Sequence, residues 1–303
     1  IDILVAGGGL AGLAAAARLA TEGFAVAVAD RAAPPPVDTD RAGADLRTTA
    51  LLHPAIETLR RAGAWAGMGE ATEALWVMRI LDAGGRENRE RQRADFEAAE
   101  MGDRPFGFNI PNTAARAALM DRLGELGVPL HAPAALESLT LRDDAAIARL
   151  GDGTMLRARL VVGADGRESA VRRLAGIKFR QWSYGQKALV FAVRHPRPHG
   201  GVSTEIHREG GPFTLVPMPD RDGWHMSSVV WMERSANAAR LAGLADDAFE
   251  AMLNARSLDV LGHLEVVGRK AMWPIIGQLS ERMAGTRVAL MAEAVHVIPP
   301  IGA

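Results

Sequence analysis

The stretch IDILVAGGGLAGLAAAARLATEGFAVAVAD, Ile1 to Asp30, decides the fold. Ile3-Leu4-Val5-Ala6 is continuously apolar, as a parallel strand covered on both faces must be. Leu10 to Thr21 is helical in composition, Gly23 supplies a left-handed stop, and Phe24 to Ala29 forms a second apolar strand ending on Asp30. The turn between strand and helix holds Gly7, Gly9 and Gly12 in the spacing G-x-G-x-x-G, with Asp30 eighteen residues past Gly12. Each glycine has its own reason. Gly7 permits the tight turn, Gly9 lets a pyrophosphate approach the backbone, and Gly12 lets helix and strand pack closely. The helix N-terminus stabilises phosphate charge, and Asp30 can accept ribose hydroxyls.

Outward from that unit, 303 residues favour two domains or one interrupted domain. Hydrophobic content of 48% with 23% charged residues is globular, and a net charge of −1 argues against nucleic acid, which needs a basic face. Cysteine is absent, which removes disulfides and thiolate chemistry and points to a reducing compartment. No apolar run reaches the roughly 18–20 residues of a membrane span. No signal peptide precedes Ile1, and a start inside a strand-like run implies that a few residues are missing. The localisation expected is cytoplasmic.

RAAPPPVDTD, after Asp30, is a loop because its prolines forbid helix and central strand. PAIETLRRAGAW is a helix opened by Pro54, and LWVMRILDAGGRE is one arm of a hairpin turning at Gly84-Gly85. NTAARAALMDRLGELG is an amphipathic helix with Asn112 as its N-cap. IARLGDGTMLRARLVVGADG gives two strands about a Gly-Asp-Gly turn, the second apolar from Leu160 to Val162. KALVFAVR, VSTEIH, FTLVPMP and WHMSSVVW alternate as strands, and ADDAFEAMLNA is a helix before VVGRKAMWPI and the final strand. The pattern predicts an α/β domain that opens and closes the chain, threaded by an antiparallel β domain.

The nucleotide turn does not separate FAD from NAD, because both carry the same ADP half. Three further stretches narrow it: DLRTTALLHP at Asp45 to Pro54, VVGADGRESAVRRLAG with Asp165-Gly166, Ser169 and Arg172, and RVALMAEAVHVIPPIGA at the end. With FTLVPMPDRDGWHMSSVVW added, the chain resembles the ubiquinone-biosynthesis branch of the FAD-dependent aromatic hydroxylases. This is the UbiH-like group of flavoprotein monooxygenases and its eukaryotic relatives. The likeness runs from Ile1 to Ala303, with its fingerprints in family order.

The resemblance implies a Rossmann-like FAD-binding domain of the para-hydroxybenzoate-hydroxylase type. It is interleaved with an antiparallel substrate sheet, with residues 1–73, 101–180 and 275–303 in the first and 74–100 and 181–274 in the second. It implies Gly7, Gly9 and Gly12 under the FAD pyrophosphate, and Asp30 on the adenosine ribose with Arg31 beside it. Arg47 and Arg116 would reach the pyrophosphate or ribityl region, although Arg116 also reads as a solvated helix arginine. Asp165 would sit near the pyrophosphate and help govern NAD(P)H access. Glu293 stands where the family has an aspartate on the ribityl chain, and Pro299 and Pro300 would lie near the flavin ring. Ala292-Glu293 replaces the family's Gly-Asp, so a methyl group sits where backbone was to pass close to cofactor. After Ala303 the family continues into a glycine turn and a helix facing the flavin, so the C-terminal part of the family fold is expected to be absent.

No protein side chain is singled out as catalytic, since the flavin carries the chemistry. The implied reaction uses NAD(P)H and O2, through a flavin C4a-hydroperoxide, to hydroxylate a polyprenylated phenol. Peripheral association with the inner membrane or a quinone-biosynthesis complex would follow from the substrate's tail. A flavin-dependent reductase or dehydrogenase, and a non-catalytic lipid-binding or assembly member of the pathway, remain alternatives. His53 reads as a turn residue and His296 as a structural histidine. Tyr184, the single tyrosine, is assigned no role.

Overall fold

The structure is a computed structural model that describes residues 1–85, 87 and 89–300. The strands Val288–Leu290, Leu160–Gly163, Ile3–Ala6, Val26–Ala29 and Leu130–His131 run parallel in that spatial order, with Ala284–Gly285 antiparallel at one edge. Val5 lies between Val28 and Val162, and all four residues of Ile3–Ala6 are buried. The helix Leu10–Thr21 lays Leu13, Ala16 and Ala17 onto this sheet and onto Ala115, Ala118 and Leu119 of the helix Asn112–Glu125. Spacing of three and four residues puts those side chains on one helical face, and alanine lets the axes approach closely.

An eight-stranded sheet lies beside it, in the order His296–Val297, Glu265–Ser280, Phe179–His195, Trp224–Arg234, Gly211–Arg221, Val202–Arg208, Val77–Asp82, Gln92–Glu97. Period-two alternation gives it two apolar faces. Leu189, Phe191, Phe213 and Trp231 pack under the helices Ser235–Ala242 and Asp246–Ser257, with Phe249 edge-on to Phe191 at 5.4 Å. Ala188, Val190, Met232 and Ile275 form a separate cluster. Trp273 lies opposite Ala188 in the ladder and so shares its face. Two three-stranded sheets complete the molecule, one of them joining Thr48–Leu52, Gly107–Pro111 and Glu73–Leu75. The α/β architecture with a second β sheet is the one expected, but that sheet is not wholly antiparallel, since Val77–Asp82 pairs parallel with Val202–Arg208.

Several local readings change. Asn112 is not a cap: Pro111 occupies the N-cap position, and the Asn112 side chain leaves its own helix for Thr49 and Asp45. The second arm after Gly-Asp-Gly is two strands. Met155–Ala158 pairs with Ala146–Leu150, then the chain breaks at Arg159 and Leu160–Gly163 enters the parallel sheet. A helix, Ser235–Ala242, stands where the sequence marks none. Val77–Asp82 does pair antiparallel with Gln92–Glu97 around Gly84-Gly85. Residues 301–303, to which the family likeness extends, lie outside the described residues.

Candidate cofactor site

The three fingerprint glycines do different work. Gly7 has φ +118°, and a Cβ there would stand 2.2 Å from the Ala164 carbonyl oxygen. A Cβ on Gly12 would stand 1.9 Å from the carbonyl oxygen of Gly7. Both are fixed by protein packing. Gly9 differs: nothing lies within 4 Å of where its Cβ would be. Its missing side chain leaves open space at the mouth of the turn, which is what a ligand approaching the backbone requires.

That space belongs to a cleft of about 800 Å³ at the C-terminal ends of the parallel strands. Gly7, Gly9, Asp30, Arg31, Arg47, Arg116, Asp165 and Glu293 all line it. Gly12 lies behind the wall, and Pro299 and Pro300 follow the strand His296–Val297 without joining the lining. The prolines Pro34 to Pro36 cover the flank near Asp30.

Asp30 accepts the N–H of Gly8 on Oδ2 at 2.5 Å and that of Ala32 on Oδ1 at 2.8 Å. It thereby ties the glycine turn to the proline loop, and each oxygen keeps a further lone pair for a ribose hydroxyl. Arg116 donates from Nη1 to the Gly8 carbonyl, while its buried Nε has no partner among the described residues. Burial pulls its pKa below the ordinary arginine value, against the opposing carboxylates of Asp45 and Asp30. The reading of Arg116 as a solvated helix arginine does not hold, since the side chain spans the turn.

Arg47 is held as a fork. Its Nε and Nη2 donate to the two oxygens of Asp45, each at 2.8 Å, and its guanidinium lies 4.9 Å from the Trp273 ring centre. The Asp45 hydrogen bonds raise the Arg47 pKa, and Glu293 adds to the effect. Burial alone would raise the Asp45 carboxyl, but the Arg47 fork and the Asn112 amide outweigh it and hold the pKa below the ordinary value.

Asp165 stands in the wall, with its carboxylate turned inward. Oδ1 accepts from Ser169 Oγ at 2.5 Å and Oδ2 from the Val171 N–H at 3.0 Å, so it staples the start of the helix Ala170–Leu174. Glu293 sits on the single turn Ala292–Ala294, its Oε2 3.9 Å from where a Cβ on Gly166 would be. Ala292 has φ +50°. The position where the resemblance called for glycine is left-handed, and alanine occupies it under strain. His53 Nε2 meets the Pro105 carbonyl at 2.7 Å, His296 is exposed in its strand, and Tyr184 stacks edge-on to Trp182 at 6.4 Å. None of these lines the cleft.

Asn112 and Trp273, which contact Asp45 and Arg47, support the site although no sequence motif marks them for it. The signal for Asn112 was present, a polar residue at a helix start, but it pointed to capping. An open glycine, a carboxylate with free lone pairs and an orphaned buried arginine Nε are features that suit a pyrophosphate and ribose. The residues present thus fit a dinucleotide cofactor.

Fold and cleft together define a protein that binds a dinucleotide at the C-terminal edge of a parallel sheet. The chain belongs to the FAD binding domain family, whose model matches residues 1–303. It is 36% identical to the ubiquinone hydroxylase UbiL of Rhodospirillum rubrum over 301 residues, 99% of this chain and 67% of that protein. It is 29% identical to the 3-demethoxyubiquinol 3-hydroxylase of Escherichia coli, over 99% of this chain and 74% of that one. Among solved structures it superposes on p-nitrophenol 4-monooxygenase PnpA of Pseudomonas putida with a TM-score of 0.76 at 19% identity, covering 99% and 74% of the two chains. The flavin-dependent halogenase CmlS gives a TM-score of 0.77 at 18% identity, covering 99% and 54%. A monooxygenase and a halogenase share the architecture, so these likenesses show the fold alone.

Proposed function

We propose that this protein is an FAD-dependent monooxygenase that hydroxylates an aromatic ring of a polyprenylated ubiquinone precursor, with NAD(P)H and O2 as co-substrates. The observation that carries the reading is the 36% identity to a ubiquinone hydroxylase across 99% of the chain. FAD, when bound, supplies the oxygen-transfer chemistry. The chain's own residues bind and orient it. The Gly9 backbone receives the pyrophosphate, Asp30 accepts from the ribose with Arg31 beside it, and Arg47 and Arg116 offer N–H donors to the phosphates or ribityl chain. Glu293 accepts from ribityl hydroxyls, Asp165 holds its turn against the pyrophosphate region, and Pro299 and Pro300 follow toward the ring. Residues 1–73, 101–180 and 275–303 act as the cofactor-binding part, and 74–100 and 181–274 as the substrate part.

Among the described residues no helix is long and apolar enough to cross a membrane. A prenylated substrate then has to be met at a bilayer surface or on a partner protein, and we place the protein in the cytoplasm with peripheral access to the inner membrane. The test uses the purified full-length protein with FAD, NADH or NADPH, and a prenylated phenol. Oxygen uptake coupled to a product carrying one added hydroxyl is expected. Substrate oxidation without oxygen insertion would make it a reductase or dehydrogenase. A folded protein that binds no FAD would make it an assembly or lipid-binding member.

A further inference from the structure

Asn112 is buried at the first turn of its helix, yet it gives that helix no capping bond. Its side chain instead joins two other elements. The amide oxygen accepts from Thr49 Oγ1 at 2.6 Å, and the amide nitrogen donates to Asp45 Oδ2 at 2.9 Å. Its backbone N–H donates to the Arg47 carbonyl at 3.0 Å. One residue therefore holds both ends of the Asp45–Arg47 segment.

The Asp45 carboxylate is saturated as a result. Oδ1 accepts from the Arg47 N–H at 3.1 Å and from Arg47 Nε at 2.8 Å, while Oδ2 accepts from Arg47 Nη2 at 2.8 Å and from Asn112. The Asp45 carboxylate only accepts and so takes the NH2 side of Asn112, while the Thr49 hydroxyl donates to the amide oxygen and holds the side chain from the other end. The guanidinium is clamped on a third side by the Trp273 ring. Asp45, Arg47 and Asn112 all reach the cleft wall.

We propose that Asn112 is a positioning residue for cofactor binding: anchored by Thr49, it fixes Asp45, and Asp45 aims the Arg47 fork into the cleft. This rests on the reading that Arg47 contacts FAD. An arginine on an otherwise unsupported loop would sample many rotamers, and each bond formed to FAD would first have to restrict them. With the fork already set, binding loses less freedom.

The chemistry supplies a discriminating variant. Asn112→Asp keeps the shape but sets a second carboxylate against Asp45, and two carboxylates in contact share a proton. FAD is titrated into apoprotein and followed by quenching of flavin fluorescence, with thermal unfolding of each apoprotein alongside. Asn112→Ala is expected to bind about tenfold more weakly than parent, and Thr49→Val, which leaves the helix start untouched, a few-fold more weakly. Asn112→Asp is expected to bind about tenfold more weakly at pH 8 than at pH 6, with the parent changing less than about twofold. Arg47→Ala must itself lose affinity. If Arg47→Ala binds as the parent does, the reading of Arg47 fails and the proposal with it. If Arg47→Ala loses affinity while Asn112→Ala and Thr49→Val do not, or Asn112→Asp shows no pH dependence, Asn112 serves only the fold and the proposal is overturned.

Discussion

Arg172 Nη1 donates to the carbonyl of Ala294 at 2.9 Å, joining two fingerprint turns that lie 122 positions apart in the chain. The same carbonyl accepts from Ser280 Oγ at 3.1 Å, and Arg172 Nη2 reaches the Arg167 carbonyl at 2.5 Å. The guanidinium lies 4.0 Å from the Phe179 ring centre. Burial lowers its pKa, with Asp165 and Glu168 countering from a distance. Arg172→Ala should destabilise the protein by about 2–4 kcal/mol, through lost charge-assisted bonds to backbone and a lost ring contact. Arg172→Met, which keeps a stem on Phe179, should cost less. Thermal unfolding checks both, and equal melting temperatures for parent and Arg172→Ala would reject the link.

The glycine turn separates structural from binding glycines. Gly9→Val should leave the fold intact, because nothing protein-made occupies that space, and abolish FAD binding. Gly12→Ala places a methyl 1.9 Å from the Gly7 carbonyl oxygen and should impair folding itself. Circular dichroism and FAD titration of both variants distinguish the two losses. A Gly9→Val protein that binds FAD like the parent would remove the turn from the site.

Ala292 at φ +50° gives a prediction of the opposite sign. A left-handed alanine is disfavoured by roughly 1–2 kcal/mol, part of which glycine returns through its greater freedom when unfolded, so Ala292→Gly should stabilise by about 0.5–1 kcal/mol. Combined with Glu293→Asp it should leave FAD affinity equal or improved. A lower melting temperature for Ala292→Gly would mean the methyl group makes packing contacts worth more than the strain.

The fold was legible where one local pattern carries one meaning. The apolar run Ile3–Ala6, the glycine spacing and Asp30 specify a βαβ turn without help from distant residues. Legibility failed where tertiary register decides. From Met155 to Gly163 the sequence offers one strand, and only pairing with Ala146–Leu150 on one side and Ile3–Ala6 on the other breaks it at Arg159. Asn112 looks like a cap because capping is a local property, whereas its bonds to Thr49 and Asp45 span 63 and 67 positions. Trp273 reaches Arg47 through its place opposite Ala188 in a ladder, and no spacing in the chain announces that.

Away from the cleft, three histidines cluster. The rings of His195, His199 and His225 form a triangle with centres 6.1, 6.1 and 6.4 Å apart. His195 is fully buried. Its Nδ1 donates to the Arg197 carbonyl at 2.8 Å, and its Nε2 lies 2.9 Å from Ser227 Oγ. His199 Nδ1 accepts the Gly201 N–H at 3.2 Å, so its Nε2 donates to the Met218 carbonyl at 3.0 Å. His225 Nδ1 lies 2.9 Å from Asp220 Oδ2. Burial pushes the His195 pKa below its ordinary value, the Arg197 carbonyl opposes this, and His199 and His225 add to it. A histidine whose folded pKa is depressed binds fewer protons folded than unfolded. Its contribution is complete above the unfolded pKa of about 6.5 and is lost as pH falls from there toward the folded value. Glu73, whose carboxyl is raised by burial and by Asp220 against the pull of His199, acts in the opposite sense but is common to both proteins, so comparing their slopes between about pH 5.5 and 7.5 isolates His195. The parent's melting temperature should fall over that range by more than that of His195→Asn, whose amide nitrogen can stand in for Nδ1 at the Arg197 carbonyl without titrating. Parallel slopes for the two proteins would mean that His195 does not govern the acid limb of stability.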